Sequence, residues 1–259
     1  MAETSQLVSD DALTIGAVEN TIGILEAIKQ LDGARNVDIV DRTGMSKASV
    51  HKHLNTLTRA EFITEEAGVY RLGFRFYDIG EWVRDRIEGK EYIQTALEKI
   101  VEETNEIAYY MVEEHGRVVI VYRKQGRKGV NTRSRRGKRD PMHQNAGGKV
   151  ILAHRSDSFV EGVIERHGLP AATEFTITDR DNLHEELATI RERGFALNEE
   201  ESSIGLHAVS VPVITDDEVR GSCSVVGPKR RLSGSYFREE IPDLLLTISN
   251  ELALNLKNA

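Results

Sequence analysis

From Thr43 to Ala60 the sequence carries lysine, histidine, arginine and hydroxyl side chains but no carboxylate. Val50, Leu54 and Leu57 recur at the spacing of one buried helix stripe, so the polar residues fall on the exposed face of the same helix. Such a face is suited to contacts with DNA phosphates and base edges. We therefore predict DNA contacts by Ser46, Lys47, Ser49, His51, Lys52 and Thr56, and by Arg71 further along the chain.

The residues before this helix predict a second helix that supports it. Asn36 is expected to cap that helix, Gly44 has the permissive backbone that ends one, and Ser46 can cap the next. Two helices joined by a glycine turn are typical of the helix-turn-helix, whose second helix enters the major groove. The alternative is an ordinary helical hairpin within a larger core.

A short β-hairpin is predicted directly after the two helices. Its strands are Phe62–Thr64 and Val69–Leu72, with a turn over residues 65–68. A two-stranded wing at this distance completes a winged helix-turn-helix. From it, Arg71 could reach a phosphate or the narrow minor groove, where a cation meets concentrated negative potential.

Composition limits the class of protein. With 259 residues the chain is long enough for two domains, and its single cysteine, Cys223, excludes an internal disulfide. Neither a signal peptide nor a membrane span is visible, so a soluble cytoplasmic protein is expected. No cofactor or metal site is predicted. The net charge of −8 has two explanations, a high-salt source or an ordinary acidic protein.

One segment departs from this acidic balance. Residues 117–139 hold ten lysines and arginines and no acid. A solvated face is one interpretation. The alternatives are a second DNA contact, a surface that pairs with an acidic subunit, or a funnel towards an anionic ligand.

The rest of the chain predicts a connecting helix and an α+β domain. The apolar spacing favours helices over residues 76–89 and 92–104, with a break at Gly89. From Ile107 the period changes to that of strands. Strands are expected over residues 107–114, 117–124, 209–214 and 222–226, and helices over 147–154, 158–167, 183–193 and 239–256. We assign residues 1–75 to the winged helix-turn-helix, 76–90 to a linker helix and 91–259 to a second domain.

Several runs, in this order, resemble the IclR family of transcription regulators. TGMSKASVHKHLNTL is similar to that family's recognition helix, and GVYRLGFRFYDIG to its wing and linker. PMHQNAGGKVILAH, IRERGFALNEEESSIGLHAVSVPV and SCSVVGP are similar to its effector domain. The resemblance implies a GAF-like or profilin-like effector-binding domain, a dimer or tetramer on a palindromic operator, and a small carbon-source metabolite as effector.

The effector contacts are expected where these runs meet. Residues 145–148 open a helix whose free N–H groups could receive an anion or carbonyl, unless the glycines serve only tight packing. The candidate contacts are Met111, Met142, Asn145, Ala146, Gly147, Asn198, Glu199 and Ser224. Relatives that bind small oxo acids often carry an acid at Asn198, a cysteine near Ala208 and a serine at Val226. Because Glu199–Glu201 would repel a dianion unless some of them are turned outward, a neutral sugar or a monoacid is expected rather than a citrate-like ligand.

Function is predicted to be regulation rather than catalysis. No nucleophile, metal-protease, P-loop or dinucleotide motif occurs, and a lone cysteine in an apolar strand is typical of packing. The alternatives are a non-specific architectural DNA-binding protein, which would not need a sensor-like domain, and an enzyme. The favoured prediction is a ligand-responsive regulator that binds double-stranded DNA and a small molecule as a homodimer or homotetramer.

Overall fold

The computed structural model describes residues 13–130 and 134–258. The described chain divides into two compact units, one ending at Arg86 and one beginning at Ile87.

Four helices and a small sheet form the N-terminal unit. Its helices are α1 (Gly16–Gln30), α2 (Asn36–Thr43), α3 (Lys47–Arg59) and, after the sheet, α4 (Arg75–Asp85). Its strands are β1 (Ala34–Arg35), β2 (Ile63–Glu66) and β3 (Val69–Leu72). Ile24, Ile39, Val50 and Leu54 are fully buried between α1, α2 and α3, as the spacing in α3 predicts. Gly44 ends α2 with a positive φ, and the Ser46 hydroxyl caps α3.

The start of α2 differs from the prediction. Asn36 is the first residue of the helix rather than its cap. The Arg35 N–H donates to Asp38 Oδ2 at 2.9 Å, so the carboxylate three residues ahead closes the helix start.

The wing also differs, in having three strands instead of two. The short strand β1 adds to β3, giving the antiparallel order β1–β3–β2. The turn contains only Ala67 and Gly68, with φ of 52° and 76°. Positive φ at both turn residues matches the twist of a two-residue hairpin, which lets the strands continue through Glu66 and from Val69.

The second unit is built on a six-stranded antiparallel sheet. Its order is β6–β5–β4–β9–β8–β7. The strands are β4 (Ile107–Glu114), β5 (Arg117–Gln125), β6 (Arg139–Pro141), β7 (Ala196–Glu199), β8 (Leu206–Thr215) and β9 (Glu218–Pro228). The helices are α5 (Lys90–Thr104), α6 (Ala146–Ala153), α7 (Asp157–His167), α8 (Arg180–Arg193) and α9 (Ile241–Lys257).

Helices cover both faces of this sheet. Side chains of α5 and α9 form one core against Tyr110, Val211 and Cys223, whereas α6, α7 and α8 form another against Tyr109, Met111 and their neighbours. Alternate residues of one strand therefore enter different cores. The α+β class with an N-terminal helix-turn-helix is confirmed. The short strands β1, β6 and β7 were not predicted, and the helix expected over 76–89 already ends at Asp85.

Candidate DNA interface and ligand cavity

The exposed face of α3 carries the predicted DNA contacts. Lys47 and Lys52 are exposed, and within the described chain neither forms an ion pair, so both ammonium groups are available to phosphates. Ala48, Lys52 and Asn55 lie at i, i+4 and i+7, opposite the buried stripe. The centre of this face therefore bears a lysine flanked by a small residue and an amide.

Several polar side chains of α3 are already hydrogen bonded. Ser46 Oγ accepts from the Ser49 N–H at 3.2 Å, and Thr56 Oγ1 donates to the Lys52 carbonyl at 2.9 Å. His51 Nδ1 lies 3.1 Å from Asn55 Nδ2. The hydroxyl of Ser46 thus serves the helix start, while His51 and Asn55 form an exposed pair.

His53 belongs to the packing rather than to the exposed face. It is half-buried, and its Nδ1 lies 2.8 Å from Thr21 Oγ1 on α1. Thr21 Oγ1 also donates its single hydrogen to the Ala17 carbonyl, so His53 Nδ1 must be the donor in the pair. His53 therefore ties α3 to α1.

Arg71 is placed on the outer face of the wing. It pairs with Thr64 across β2 and β3, and its side chain lies against Gly33, at the end of α1, away from the turn. The wing tip itself carries Glu65 and Glu66. Arg71 is exposed, but it lies at the base of the wing.

The second unit contains a cleft of about 850 Å³ on the sheet face covered by α6. This volume is within the range usual for small-molecule sites. Of the eight predicted effector contacts, six line it: Met111, Asn145, Ala146, Gly147, Asn198 and Ser224. The structure therefore brings together residues of four separate elements, β4, α6 with its N-cap, β7 and β9.

Met142 and Glu199 do not line this cleft. Met142 is buried in the core, and its neighbour Gln144 lines the cleft instead. Glu199 follows Asn198 on strand β7, so its side chain leaves the opposite face, where it pairs with Arg238 at 2.8 Å. At the cleft, Gln144 therefore takes the place predicted for Met142, two residues earlier. Glu199 is excluded because neighbouring residues of a strand face opposite sides of the sheet.

The acidic run is also neutralised by bases. Glu199 pairs with Arg238, Glu200 with Lys229 at 2.8 Å, and Glu201 with Lys149 at 2.7 Å. Because each of the three carboxylates has a basic partner, their repulsion does not exclude a dianionic ligand.

The glycines at the start of α6 are needed for close packing. A Cβ on Gly147 would lie 2.3 Å from Met111 Cε, and one on Gly148 would lie 2.2 Å from the Met142 carbonyl oxygen. Asn145 Oδ1 accepts from the Gly148 N–H at 2.8 Å. Because the first N–H groups of a helix have no acceptor within it, those of Ala146 and Gly147 remain as donors at the cleft wall. Packing and ligand contact thus coexist here.

The polar groups of the cleft are largely paired with one another. Asn198 Nδ2 donates to the Gln144 carbonyl at 2.8 Å, and Ser224 Oγ lies 2.6 Å from Ser210 Oγ. Lys138 pairs with Asp140 at 3.0 Å. These bonds fix the orientation of the polar groups before a ligand arrives.

A buried lysine supports one wall of the cleft. Lys149 of α6 is only 1% exposed, and its Nζ lies 2.7 Å from Glu201 Oε1 and 3.3 Å from Glu186 Oε1 of α8. Burial raises the pKa of Glu201, although Lys149 opposes this shift. The network anchors the loop 200–205, whose Ser202, Ser203 and Ile204 line the cleft.

Other lining residues were absent from the sequence prediction. Tyr109 and Ala208 share strand faces with predicted residues, so alternation could have identified them. Thr173, Ser202 and Ser203 lie on loops distant in sequence, and no local spacing indicates them. On α3, Asn55 is exposed on the same face as Lys52 but was not among the predicted contacts, which are cations, hydroxyls and a histidine.

The basic segment has a divided environment. Lys124 pairs with Glu98 at 2.5 Å, Arg139 pairs with Glu114, and Lys138 lines the cleft. Part of its charge is therefore neutralised within the unit.

Cys223 is fully buried, and burial raises its thiol pKa to about 12, which makes it a packing residue. Among the described residues, no group of three His, Cys, Asp or Glu side chains is placed to hold a metal ion. None of the helices described is both long and apolar enough to cross a membrane.

Two protein-family models match this chain. The model of the IclR helix-turn-helix domain matches residues 17–67, and that of the bacterial transcriptional regulator IclR C-terminal domain matches residues 84–253. The chain therefore belongs to the IclR family of transcriptional regulators, and the prediction that it is not an enzyme is confirmed.

The chain is similar to three known proteins over nearly its whole length. The probable HTH-type transcriptional regulator ArcR of Halobacterium salinarum is 28% identical, over 95% of each chain. The IclR structure from Thermotoga maritima has a TM-score of 0.74 at 23% identity, over 94% of this chain and 100% of that one. An IclR homologue from Microbacterium hydrocarbonoxydans, solved with 4-hydroxybenzoate, has a TM-score of 0.77 at 19% identity over the same fractions. The halobacterial relative fits the acidic composition.

Proposed function

We propose that this regulator binds a specific operator through α3 and changes its affinity for that operator when a small carbon-source metabolite occupies the cleft. The observation that carries the proposal is the presence of two distinct sites, each in its own unit. One is an exposed face whose two lysines form no ion pair with any residue that the structure describes, and the other is a partly open cleft with polar and apolar lining. It would act on DNA in the cytoplasm.

The chemistry of the cleft favours a monoacid or a neutral sugar. Its charged pair, Lys138 and Asp140, is balanced, and the N–H groups of Ala146 and Gly147 suit a single carboxylate or carbonyl. Tyr109, Met111 and Ile120 supply apolar wall on the sheet side, which suits an aromatic acid. The homologue with bound 4-hydroxybenzoate supports this ligand class.

Pairing of subunits through the N-terminal unit is part of the proposal. Tyr77, Trp82 and Val83 of α4 are 60%, 62% and 53% exposed, and α1 exposes Val18 and Ile22. Exposed apolar side chains at this density are typical of an interaction surface. A homodimer would present two recognition helices about one DNA turn apart to a palindromic operator. A tetramer would join two such dimers.

The test is binding of the purified protein to fragments of its own upstream intergenic region over a salt series, with and without candidate metabolites. We expect tight binding to one fragment that one metabolite strengthens or weakens. Equal, salt-sensitive binding to every fragment, unchanged by any metabolite, would support the architectural alternative instead.

A further inference from the structure

The exposed face of α3 contains an amide–imidazole pair, of which the DNA-contact prediction named only the imidazole. Asn55 and His51 are both exposed and lie one helical turn apart, with Asn55 Nδ2 3.1 Å from His51 Nδ1. Asn55 is also close to the centre of the face, three residues after Lys52. Its side chain therefore lies opposite the buried stripe, on the face that a recognition helix turns towards the major groove.

The hydrogen bond determines the state of both side chains. An amide nitrogen is only a donor, so His51 Nδ1 is the acceptor and the proton of the neutral ring is on Nε2. The bond uses one of the two Asn55 N–H groups. Its second N–H and its Oδ1 form no other hydrogen bond within the described chain.

A free N–H and a free carbonyl oxygen on one amide match a single base edge. In the major groove, adenine presents N7 as an acceptor and N6 as a donor, which a planar amide can bind together. Guanine presents two acceptors there and would leave the amide oxygen opposite another acceptor. We infer that Asn55, held in orientation by His51, is a specificity-determining residue that selects adenine at one position of each operator half-site.

This inference rests on the proposed function, because it requires sequence-specific binding through α3. Ala48 at i−7 adds support, since a small side chain on the same stripe allows the helix backbone to approach the groove floor. Lys47 and Lys52 would supply phosphate contacts that carry no base preference.

The experiment is selection of bound sequences from a pool of random duplex DNA by the full-length protein. Four proteins are compared: the wild type, Asn55→Ala, His51→Ala and the control Thr58→Ala. Thr58 is exposed on the same helix but lies beside the buried stripe. All three substitutions are at exposed positions, and retained low-salt binding to non-specific DNA shows that each variant is folded.

We expect the wild type and Thr58→Ala to enrich adenine at one half-site position. Asn55→Ala should lose that preference by roughly 5- to 150-fold, the range of one bidentate base contact, with other positions unchanged. His51→Ala should weaken the same preference without abolishing it, because the amide loses its orientation.

Three results would overturn the inference. Full adenine preference in Asn55→Ala excludes the reading role, and loss of preference for a base other than adenine excludes the assigned partner. Undiminished preference in His51→Ala excludes the orienting role. A wild type that enriches no sequence would overturn the proposed function itself, which is a distinguishable outcome.

Discussion

The DNA-binding face and the ligand cleft satisfy their polar groups in opposite ways. On α3, Lys47 and Lys52 are exposed and form no ion pair within the described chain, so both can bind phosphates. In the cleft, Asn198, Ser224 and Lys138 are already bonded to other protein groups. A surface that binds a large polyanion can leave its cations in solvent, whereas polar groups buried at the wall of a cleft, such as Asn198 and Ser224, need partners within the protein. Substitutions should therefore affect binding in the first region and folding in the second.

The largest effect should come from the buried cation beside the cleft. Lys149→Met leaves Glu201 in a largely buried site without its base, although Glu186 keeps Arg193, and should lower the free energy of unfolding by about 3–5 kcal/mol. Lys99→Met is the matched control, because Lys99 pairs with Glu251 on the surface and should contribute only about 0–1 kcal/mol. Chemical denaturation measures both. Equal losses in the two variants would remove the contrast between the regions.

Subunit pairing should show the next largest effect. Trp82→Glu puts a charge into the exposed apolar patch of α4 and should weaken the dimer by about 2–4 kcal/mol, as loss of an interface hot spot does. Sedimentation at micromolar concentration should then show monomers. Phe175→Glu changes an exposed aromatic residue of the other unit and serves as the control. Unchanged mass in Trp82→Glu would locate the interface elsewhere.

The recognition helix should lose binding without losing stability. Lys52→Ala should cost about 1–3 kcal/mol of operator affinity if Lys52 contacts a base edge. If it contacts only phosphate, binding to all sequences should weaken alike and the salt slope should fall by about 1. Binding isotherms over a salt series separate these cases. A variant with wild-type affinity and slope would contradict the assignment of this face.

The smallest effect should be a pH dependence of stability that arises from Glu201, the buried partner of Lys149. Because burial raises the pKa of Glu201, the folded state favours the protonated carboxyl. The stabilising contribution of that proton is complete below the ordinary glutamate pKa of 4.5 and is lost as the pH rises through the raised pKa. Relative to Glu201→Gln, which does not titrate, the wild type should lose stability above pH 4.5. Denaturation of both proteins over a pH series tests this, and a constant difference would contradict it.

The two regions also differ in how far the sequence predicts them. The predicted DNA contacts at Lys47, Ser49 and Lys52 share one helix. The spacing of Val50, Leu54 and Leu57 therefore suffices to separate its buried stripe from its polar face. The predicted DNA contacts did not include Asn55, because the prediction relied on charged and hydroxyl side chains and an amide is neither. The predicted DNA-binding face of α3 is thus formed by residues of one continuous segment.

The cleft depends on residues far apart in the chain. Asn145, Asn198 and Ser224 follow from the resemblance to the family. Glu199 was predicted together with Asn198, but the two lie on opposite faces of β7, a strand that the sequence did not predict. A strand of four residues gives too little alternation to determine its register. Thr173 and the loop 200–205 meet the cleft only through the tertiary fold, which no local pattern encodes.

The proposed function requires that ligand binding in the cleft and operator binding by α3 are coupled. The most direct test measures operator affinity of the full-length protein with and without a metabolite that raises its thermal stability, in the wild type and in Ala208→Trp, whose side chain would fill the cleft. We predict a change of about 5- to 150-fold in the wild type, its loss in Ala208→Trp, and equal ligand-free affinities. A metabolite whose stabilising effect is abolished by Ala208→Trp, but which leaves wild-type operator affinity unchanged, would contradict the coupling.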